Sequence, residues 1–201
     1  MRLRSQTDFF NLVKTGTPQQ VQAAIKGGAD LNSRDKDSLT PLIVAVANNP
    51  DPEVITTLLN AGANVNDMDR SGDTPLRWGA GRSQNPEVVM TLLNAGADLK
   101  AQDDSGFTAL MSAARYNQNP EMIIILVNAG ADLNAQNKGG WTALMNATFA
   151  NQNPEVATTL LKAGADPKVK DIDGRTALFY AKVNDALKGT DTLKQLETAS
   201  K

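Results

Sequence analysis

GFTALMSAARYNQNPEMIIILVNAGADLNAQNKG, residues 106–139, is a segment whose pattern recurs along the chain. A Thr followed by Pro-Leu or Ala-Leu returns every 34 residues, at Thr40, Thr74, Thr108, Thr142 and Thr176. Two further residue types keep this period, at Pro18, Pro52, Pro86, Pro120 and Pro154 and at Gly28, Gly62, Gly96, Gly130 and Gly164. A fixed period of this length is typical of a repeat protein, in which each unit buries its apolar face by stacking on its neighbours. Function is therefore expected on the surface of the stack.

Each unit is predicted to contain two short helices. Thr108 is suited to cap the first helix, in which apolar and small residues recur at helical spacing. Asn119 is suited to cap the second helix, because Pro120 fits the first helical position and Glu121 favours the positive end of the helix dipole. The unit is therefore predicted to fold as helix, turn, helix and loop.

The second helix of this unit is expected to bury Ile124, Leu126 and Val127. It is expected to end at Gly130, because glycine adopts a positive φ without steric cost. The polar segment that follows, residues 131–139, carries the Asn, Asp and Gly residues of a tight turn or hairpin. This segment is predicted to lead into the next unit.

The repeat predicts a single domain over residues 1–201. Its units are an N-terminal cap at 1–37, internal repeats at 38–71, 72–105, 106–139 and 140–173, and a C-terminal cap at 174–201. The end units depart from the pattern, as the ends of a stack must, because one of their faces meets solvent. The first unit lacks the Thr-Pro-Leu, and Thr7 with Asp8 is expected to cap its first helix. In the last unit, Lys-Gly-Thr-Asp replaces the Asn-Pro-Glu turn.

The Thr-Pro-Leu of residues 40–42 and 74–76, the LLNAGAD of residues 92–98 and the Gly-x-Thr turn resemble the ankyrin repeat over nearly the whole chain. This resemblance implies an all-α repeat solenoid, an ankyrin-type stack of helix-turn-helix units joined by β-hairpin or turn loops. It also implies a non-catalytic module that binds a partner protein through a concave face lined by hairpin tips and first helices. Two features depart from the family: His is missing after the Thr-x-Leu, and the period is 34 rather than about 33. The near-identical units favour a natural, bacterial-type member.

Composition argues against several classes of function. A net charge of −2 without a run of Lys or Arg argues against a nucleic-acid partner. The chain has no Cys and no His, which excludes disulfides, thiolate or imidazole metal sites, and Cys-His or Ser-His-Asp nucleophilic pairs. We therefore expect no catalysis, no cofactor and no metal.

The apolar runs are far shorter than the roughly 20 residues that a membrane span requires, so no membrane insertion is expected. The start of the chain, MRLRSQTDFF, has no apolar segment after its two Arg residues and is not expected to be a signal peptide. The compartment stays open between the cytoplasm and a mature exported form. The polar end units predict a monomer.

Aromatic residues are unevenly distributed among the repeats. Of the nine, two lie in the first unit, and the other seven lie in the turn before the Thr or in the first helix. Aromatic and Arg side chains dominate interface hot spots because they bury large areas with few rotatable bonds. We expect a partner-binding groove formed by Leu39, Asp73, Trp78, Arg82, Phe107, Arg115, Tyr116, Trp141, Phe149 and Arg175. Within this set, Phe107 and Trp141 are expected to be exposed because they lie in turns.

Three aromatic residues, Trp78, Phe179 and Tyr180, have a second interpretation. They lie where other units carry smaller residues, including Ser112 and Asn146, and this favours packing between repeats. A surface role and a packing role therefore both stay open for Trp78.

Other patterns have structural explanations. Glu87, Glu121 and Glu155 form a row of carboxylates, but each also stabilises the start of its own helix. Residues 67–72, DMDRSG, resemble the opening of a calcium loop, but Trp78 stands where the bidentate Glu is required. Asn146-Ala-Thr148 is a lone glycosylation sequon on a helix, which chance explains.

Three alternatives to partner-protein binding are kept. The first is a carbohydrate that stacks on Trp141 and Phe107, and the second is a structural or engineered scaffold without a dedicated ligand. The third is a glycoside hydrolase using two carboxylates. The third alternative is weak because Asp73 is the only carboxylate in the predicted groove.

Overall fold

The computed structural model describes residues 6–199, which form helices, turns and loops and no β-strand. Residues 1–5 of the predicted N-terminal cap and 200–201 of the C-terminal cap lie outside the described residues. The helices are α1 Gln6–Thr15, α2 Pro18–Lys26, α3 Pro41–Asn48, α4 Pro52–Asn60, α5 Pro75–Arg82, α6 Pro86–Asn94, α7 Ala109–Tyr116, α8 Glu121–Asn128, α9 Ala143–Ala150, α10 Pro154–Lys162, α11 Ala177–Ala181 and α12 Asp191–Ala199, with a 3-10 turn at Asp185–Leu187.

The recurring Thr residues start the first helices, as predicted. The hydroxyls of Thr40, Thr74, Thr108 and Thr142 each accept a hydrogen bond from the backbone N–H three residues later, at 3.3 Å. Such a cap satisfies one of the N–H groups that a helix leaves without a partner at its start. In the N-terminal repeat, Thr7 and Asp8, which were expected to cap the first helix, lie within α1, which spans Gln6–Thr15.

The chain divides into two compact units, each made of several repeats. The first unit is Met1–Gly79 with Ser83–Asp98, and the second unit is Ala80–Arg82 with Leu99–Lys201. In the first unit, α1 packs against α3, and α2 and α6 pack against α4. Its core contains the fully buried side chains of Phe9, Leu42, Ile43, Ile55 and Leu58.

In the second unit, α7 and α11 pack on α9, whereas α8 and α12 pack on α10. First helices thus contact first helices, and second helices contact second helices, which is the packing of the predicted all-α repeat solenoid. The core of this unit includes Leu110, Met111, Met122, Ile123 and Leu126. Ile124, which was expected in this core, is 47% exposed instead, because α8 turns the side chains of Met122, Ile123 and Leu126 inward.

A buried Asn that follows the first helix joins adjacent repeats within the second unit. The side-chain amide of Asn151 donates hydrogen bonds to the carbonyls of Ala114 (2.9 Å) and Asn117 (2.8 Å). The amide of Asn184 donates in the same way to Thr148 and Asn151, at 3.0 Å each. These carbonyls lie at the end of a short helix, where no intrahelical N–H is available. The Asn side chains therefore satisfy buried backbone groups and fix the register between repeats.

The first unit contains the same interaction. Asn49 donates to the carbonyls of Val13 (3.0 Å) and Gly16 (3.1 Å), and its side-chain oxygen accepts the N–H of Asp51. The residue at this position therefore shapes its own turn as well as binding the previous repeat.

The loops between repeats are closed turns rather than strand-forming hairpins. In one of them, Asn137 accepts the N–H groups of Gly139 and Trp141 on its side-chain oxygen, each at 2.9 Å. Adjacent turns also touch, because the N–H of Ile172 donates to the carbonyl of Gly139 at 3.2 Å. Glycine is required at Gly140, since its φ is +76° and a Cβ there would lie 2.8 Å from backbone atoms of the next turn.

We call the hydrogen bonds that Asn49, Asn151 and Asn184 donate to the preceding repeat the Asn ladder. The Asn ladder gives a first prediction. We expect Asn151→Ala to lower the free energy of unfolding by about 2–4 kcal/mol, because it leaves buried carbonyls without a donor. Gln152→Ala, at the exposed neighbouring residue, serves as the control and is expected to change the free energy of unfolding little. Urea denaturation measures both variants. Equal stability of the two variants would contradict the role given to the ladder.

Candidate partner-binding surface

Seven side chains of the second unit form a connected group, which we call the aromatic surface. Two come from the end of α7, one from α9, two from α11 and two from the turns that precede α9 and α11. The aromatic surface consists of Arg115, Tyr116, Trp141, Phe149, Arg175, Phe179 and Tyr180.

The rings of the aromatic surface contact one another across the repeats. The ring of Trp141 lies 5.2 Å, centroid to centroid, from that of Phe149 and 4.3 Å from that of Tyr180. Tyr180 in turn lies 5.7 Å from Phe149 and 5.4 Å from Phe179. Three of these four pairs are edge-to-face, the arrangement that the ring quadrupoles favour.

An arginine lies at each end of this group of rings. The guanidinium carbon of Arg115 is 5.6 Å from the ring centroids of both Tyr116 and Phe149. The guanidinium carbon of Arg175 lies 5.0 Å from the centroid of Phe179. Both distances are within the range of cation–π attraction. Both arginines therefore contact the rings and belong to the aromatic surface.

The rings differ in how much of each meets solvent. Tyr116 is 59% exposed, Phe179 is 48% exposed and Phe149 is 43% exposed, whereas Tyr180 is 4% exposed. The packing role considered for Tyr180 is the one that the structure shows. Phe179, considered for the same role, presents about half of its side chain to solvent.

Trp141 and Phe107 are half-buried, although their turns led us to expect exposure. For Trp141 the reason is the packing of its indole on Tyr180 and Phe149. The backbone of Phe107 is held by its turn, because its N–H donates to the Asp103 carboxylate at 2.7 Å.

Tyr180 is tied to the turn before its own helix. Its hydroxyl donates to the carboxylate of Asp171, whose other oxygen accepts the N–H groups of Asp173 and Arg175. Burial disfavours the charged form of Asp171, but the hydrogen bonds from Tyr180 and the two N–H groups outweigh it, so the pKa of Asp171 is lowered. Burial, followed by the hydrogen bond to Asp171, raises the pKa of Tyr180. The hydrogen bond to Asp171 therefore fixes Tyr180, the ring that contacts Trp141, Phe149 and Phe179.

Arg115 is oriented by a buried amide. Its Nη1 donates to the side-chain oxygen of Asn146 at 3.2 Å, and the Asn146 amide nitrogen donates to the carbonyl of Thr142 at 2.9 Å. Asn146 is fully buried, which agrees with chance as the origin of its glycosylation sequon. The sequence signal that we missed is a polar Asn inside an apolar helix.

Four more residues were predicted to belong to the partner-binding groove. Arg82 is exposed at the end of α5 and belongs to the second unit. Leu39, Asp73 and Trp78 belong to the first unit, where Asp73 pairs with Arg77 at 2.6 Å and the Trp78 indole N–H donates to Asp69 at 3.0 Å. Leu39 is half-buried, and its N–H donates to the carboxylate of Asp35.

The row of Glu residues singled out in the sequence lies at the starts of the second helices. The N–H groups of Glu87, Glu121 and Glu155 donate to the Asn two residues earlier, at 3.0–3.1 Å, while these Glu residues are exposed. Within residues 6–199, no group of three or more acidic residues is arranged to hold a metal ion. Every helix in the same range is too short or too polar to cross a membrane.

The comparison with protein families agrees with this architecture. The family description "Ankyrin repeats (3 copies)" matches residues 9–103 and 78–171, which together cover most of the chain. The chain belongs to the ankyrin repeat family. A comparison with curated proteins finds no match. Ankyrin repeats are generally protein–protein interaction modules and are typically non-enzymatic.

The contact between Tyr180 and Asp171 gives a prediction about pH. We expect Tyr180→Phe to lower the free energy of unfolding by about 1–3 kcal/mol at pH 7, because a buried carboxylate loses a donor. The folded-state pKa of Asp171 lies below its ordinary value of about 3.9. Its contribution is therefore present above about pH 4 and is lost as the pH falls through the lowered pKa. The difference between variant and wild type should shrink in acid.

Urea denaturation at neutral and acid pH measures this difference. Tyr116→Phe is the matched control, because it removes the hydroxyl of a mostly exposed ring and is expected to change the free energy of unfolding little. A Tyr180→Phe effect that is absent at pH 7, or unchanged in acid, would contradict the assigned role of the Asp171 hydrogen bond.

Proposed function

We propose that this ankyrin repeat protein binds a partner protein through the aromatic surface of its second unit and catalyses no reaction. The observation that carries the proposal is the exposure of Tyr116, Phe149 and Phe179 within a group of rings and arginines already in contact. Large exposed rings of this kind are typical of interface hot spots. The proposal is also supported by the expectation, from the family resemblance, that first helices and turn tips form the binding face, because these elements carry the residues of the aromatic surface.

The order of the surface supports this function. Phe149 contacts Trp141 and Tyr180, while Arg115 stacks on Phe149 and Tyr116. Side chains held by such contacts lose less rotamer entropy on binding than free side chains do. These side chains of the aromatic surface therefore lose little rotamer entropy when a partner binds.

The carbohydrate alternative is less well supported. Trp141 was the expected stacking platform for a sugar ring, and its indole is instead half-buried against Tyr180. Phe107 is half-buried as well. We therefore propose protein binding alone, with Trp141 as support for its neighbours.

Affinity capture tests the proposal. The bait is the wild-type chain, which we propose is monomeric in solution, as sedimentation can verify before use. We expect a protein from the native lysate to be retained by wild type and lost by Tyr116→Ala/Phe149→Ala, because truncating hot-spot rings weakens an interface about tenfold or more. The affinity of the captured protein is then measured by calorimetry.

Ile124→Ala is the matched control for this experiment. Ile124 is a similarly exposed apolar residue, but it lies on α8, a second helix. Circular dichroism checks that each variant is folded. The single variant Tyr116→Ala removes a mostly exposed side chain, so its effect on binding is separate from any effect on the core. Retention that ignores the Tyr116 and Phe149 changes, or no retention by wild type, would contradict the proposed function.

A further inference from the structure

We propose that the partner segment recognised by the aromatic surface is an acidic peptide, and that Arg115 binds one of its carboxylates. This inference rests on the proposed function and adds the chemistry of the partner to it. Its basis is the surroundings of Arg115 and the lack of acidic residues on α7, α9 and α11.

The first helices α7, α9 and α11 of the second unit lack acidic residues, whereas the second helices do not. The first helices α7, α9 and α11 contain Arg115 and no Asp or Glu. The second helices carry charges of both signs: Glu121 in α8, Glu155 and Lys162 in α10, and Asp191, Lys194 and Glu197 in α12. Arg115 is therefore the one charged side chain on α7, α9 and α11, although the chain as a whole carries a net charge of −2. The charge of Arg115 complements a carboxylate of an acidic partner.

Arg115 has no ion-pair partner among the described residues. A single N–H of its guanidinium is engaged, by the Asn146 side-chain oxygen at 3.2 Å. A guanidinium has five N–H donors in a planar fork, and this fork matches both oxygens of a carboxylate. Arg115 is half-buried between two rings, so it is oriented and partly desolvated before any ligand arrives.

Arg175 provides a contrast within the same surface. It also stacks on a ring, that of Phe179, but its guanidinium already lies 3.2 Å from the carboxylate of Asp173. Its charge is therefore partly compensated by the protein itself. Arg115 is the arginine whose charge a partner would compensate.

The surroundings favour a peptide carboxylate over a polyanion. A nucleic acid or another polyanion is held by many cations that neutralise successive charges. Around Arg115 the neighbours are instead the rings of Tyr116 and Phe149. One planar cation between apolar rings fits an acidic residue flanked by aromatic or aliphatic residues.

A displayed library of short random peptides, selected on the immobilised wild-type chain, tests this inference. We expect the selected peptides to be enriched in Asp or Glu beside aromatic or aliphatic residues. Changing the acidic residue of a selected peptide to its amide should weaken binding to wild type about tenfold or more. This arm uses the unmodified protein, so it does not depend on how a variant folds.

Variants of the protein complete the test. Arg115→Gln should lose the same affinity, and the amide peptide should lose nothing further on this variant, because both changes remove one contact. Arg115→Lys keeps the charge without the planar fork and should fall between the two. Lys162→Ala, which removes an exposed cation from the second helix α10, is the matched control and should bind like wild type.

Two results would overturn the inference: peptides selected without acidic residues, or acidic peptides that bind Arg115→Gln as tightly as wild type. Arg115-dependent binding of a single-stranded oligonucleotide, used as a second probe, would overturn it as well. If captured protein still depends on Tyr116 and Phe149 in such a case, the proposed function stands and acid recognition alone fails.

Discussion

The hydrogen bonds from a buried Asn to the end of the preceding first helix are the interaction on which the second unit depends. Helices of eight residues such as α7 and α9 leave half of their carbonyls without an intrahelical partner. Stacking would bury these carbonyls unsatisfied unless the neighbouring repeat supplied donors. The amides of Asn151 and Asn184 supply them, in the same geometry one repeat apart. Stacking and register are therefore set by one contact.

The composition of the aromatic surface follows from that register. Arg115 and Phe149 lie 34 residues apart, at equivalent positions in successive repeats, and in-register stacking places them side by side. The turn residue Trp141 contacts Tyr180 of the next repeat for the same reason. The ladder thus brings together side chains that are distant in sequence, and any change that shifts register would separate them.

The period of 34 residues was enough to predict the helices, their Thr caps and the solenoid class. It could not tell which side of the apolar run 122–127 in α8 faces the core, so Ile124 was placed inside and is exposed. It also could not show that Trp141 is covered by a ring from the next repeat, because that contact depends on tertiary structure. The recurrence of Asn at 117, 151 and 184 was the available signal for the ladder, and no role in joining repeats was predicted for this position.

One position in the repeat, four residues after the Thr that starts the first helix, determines which hydrogen bonds orient the aromatic surface. Tyr180 occupies it in the last repeat and bonds to the carboxylate of its own turn. Asn146 occupies it one repeat earlier and orients Arg115. Ser112 occupies it before that, with a buried hydroxyl that has no hydrogen-bond partner among the described residues. Because the ladder holds the register whichever residue is present, this position can differ between repeats and change the aromatic surface without changing the fold.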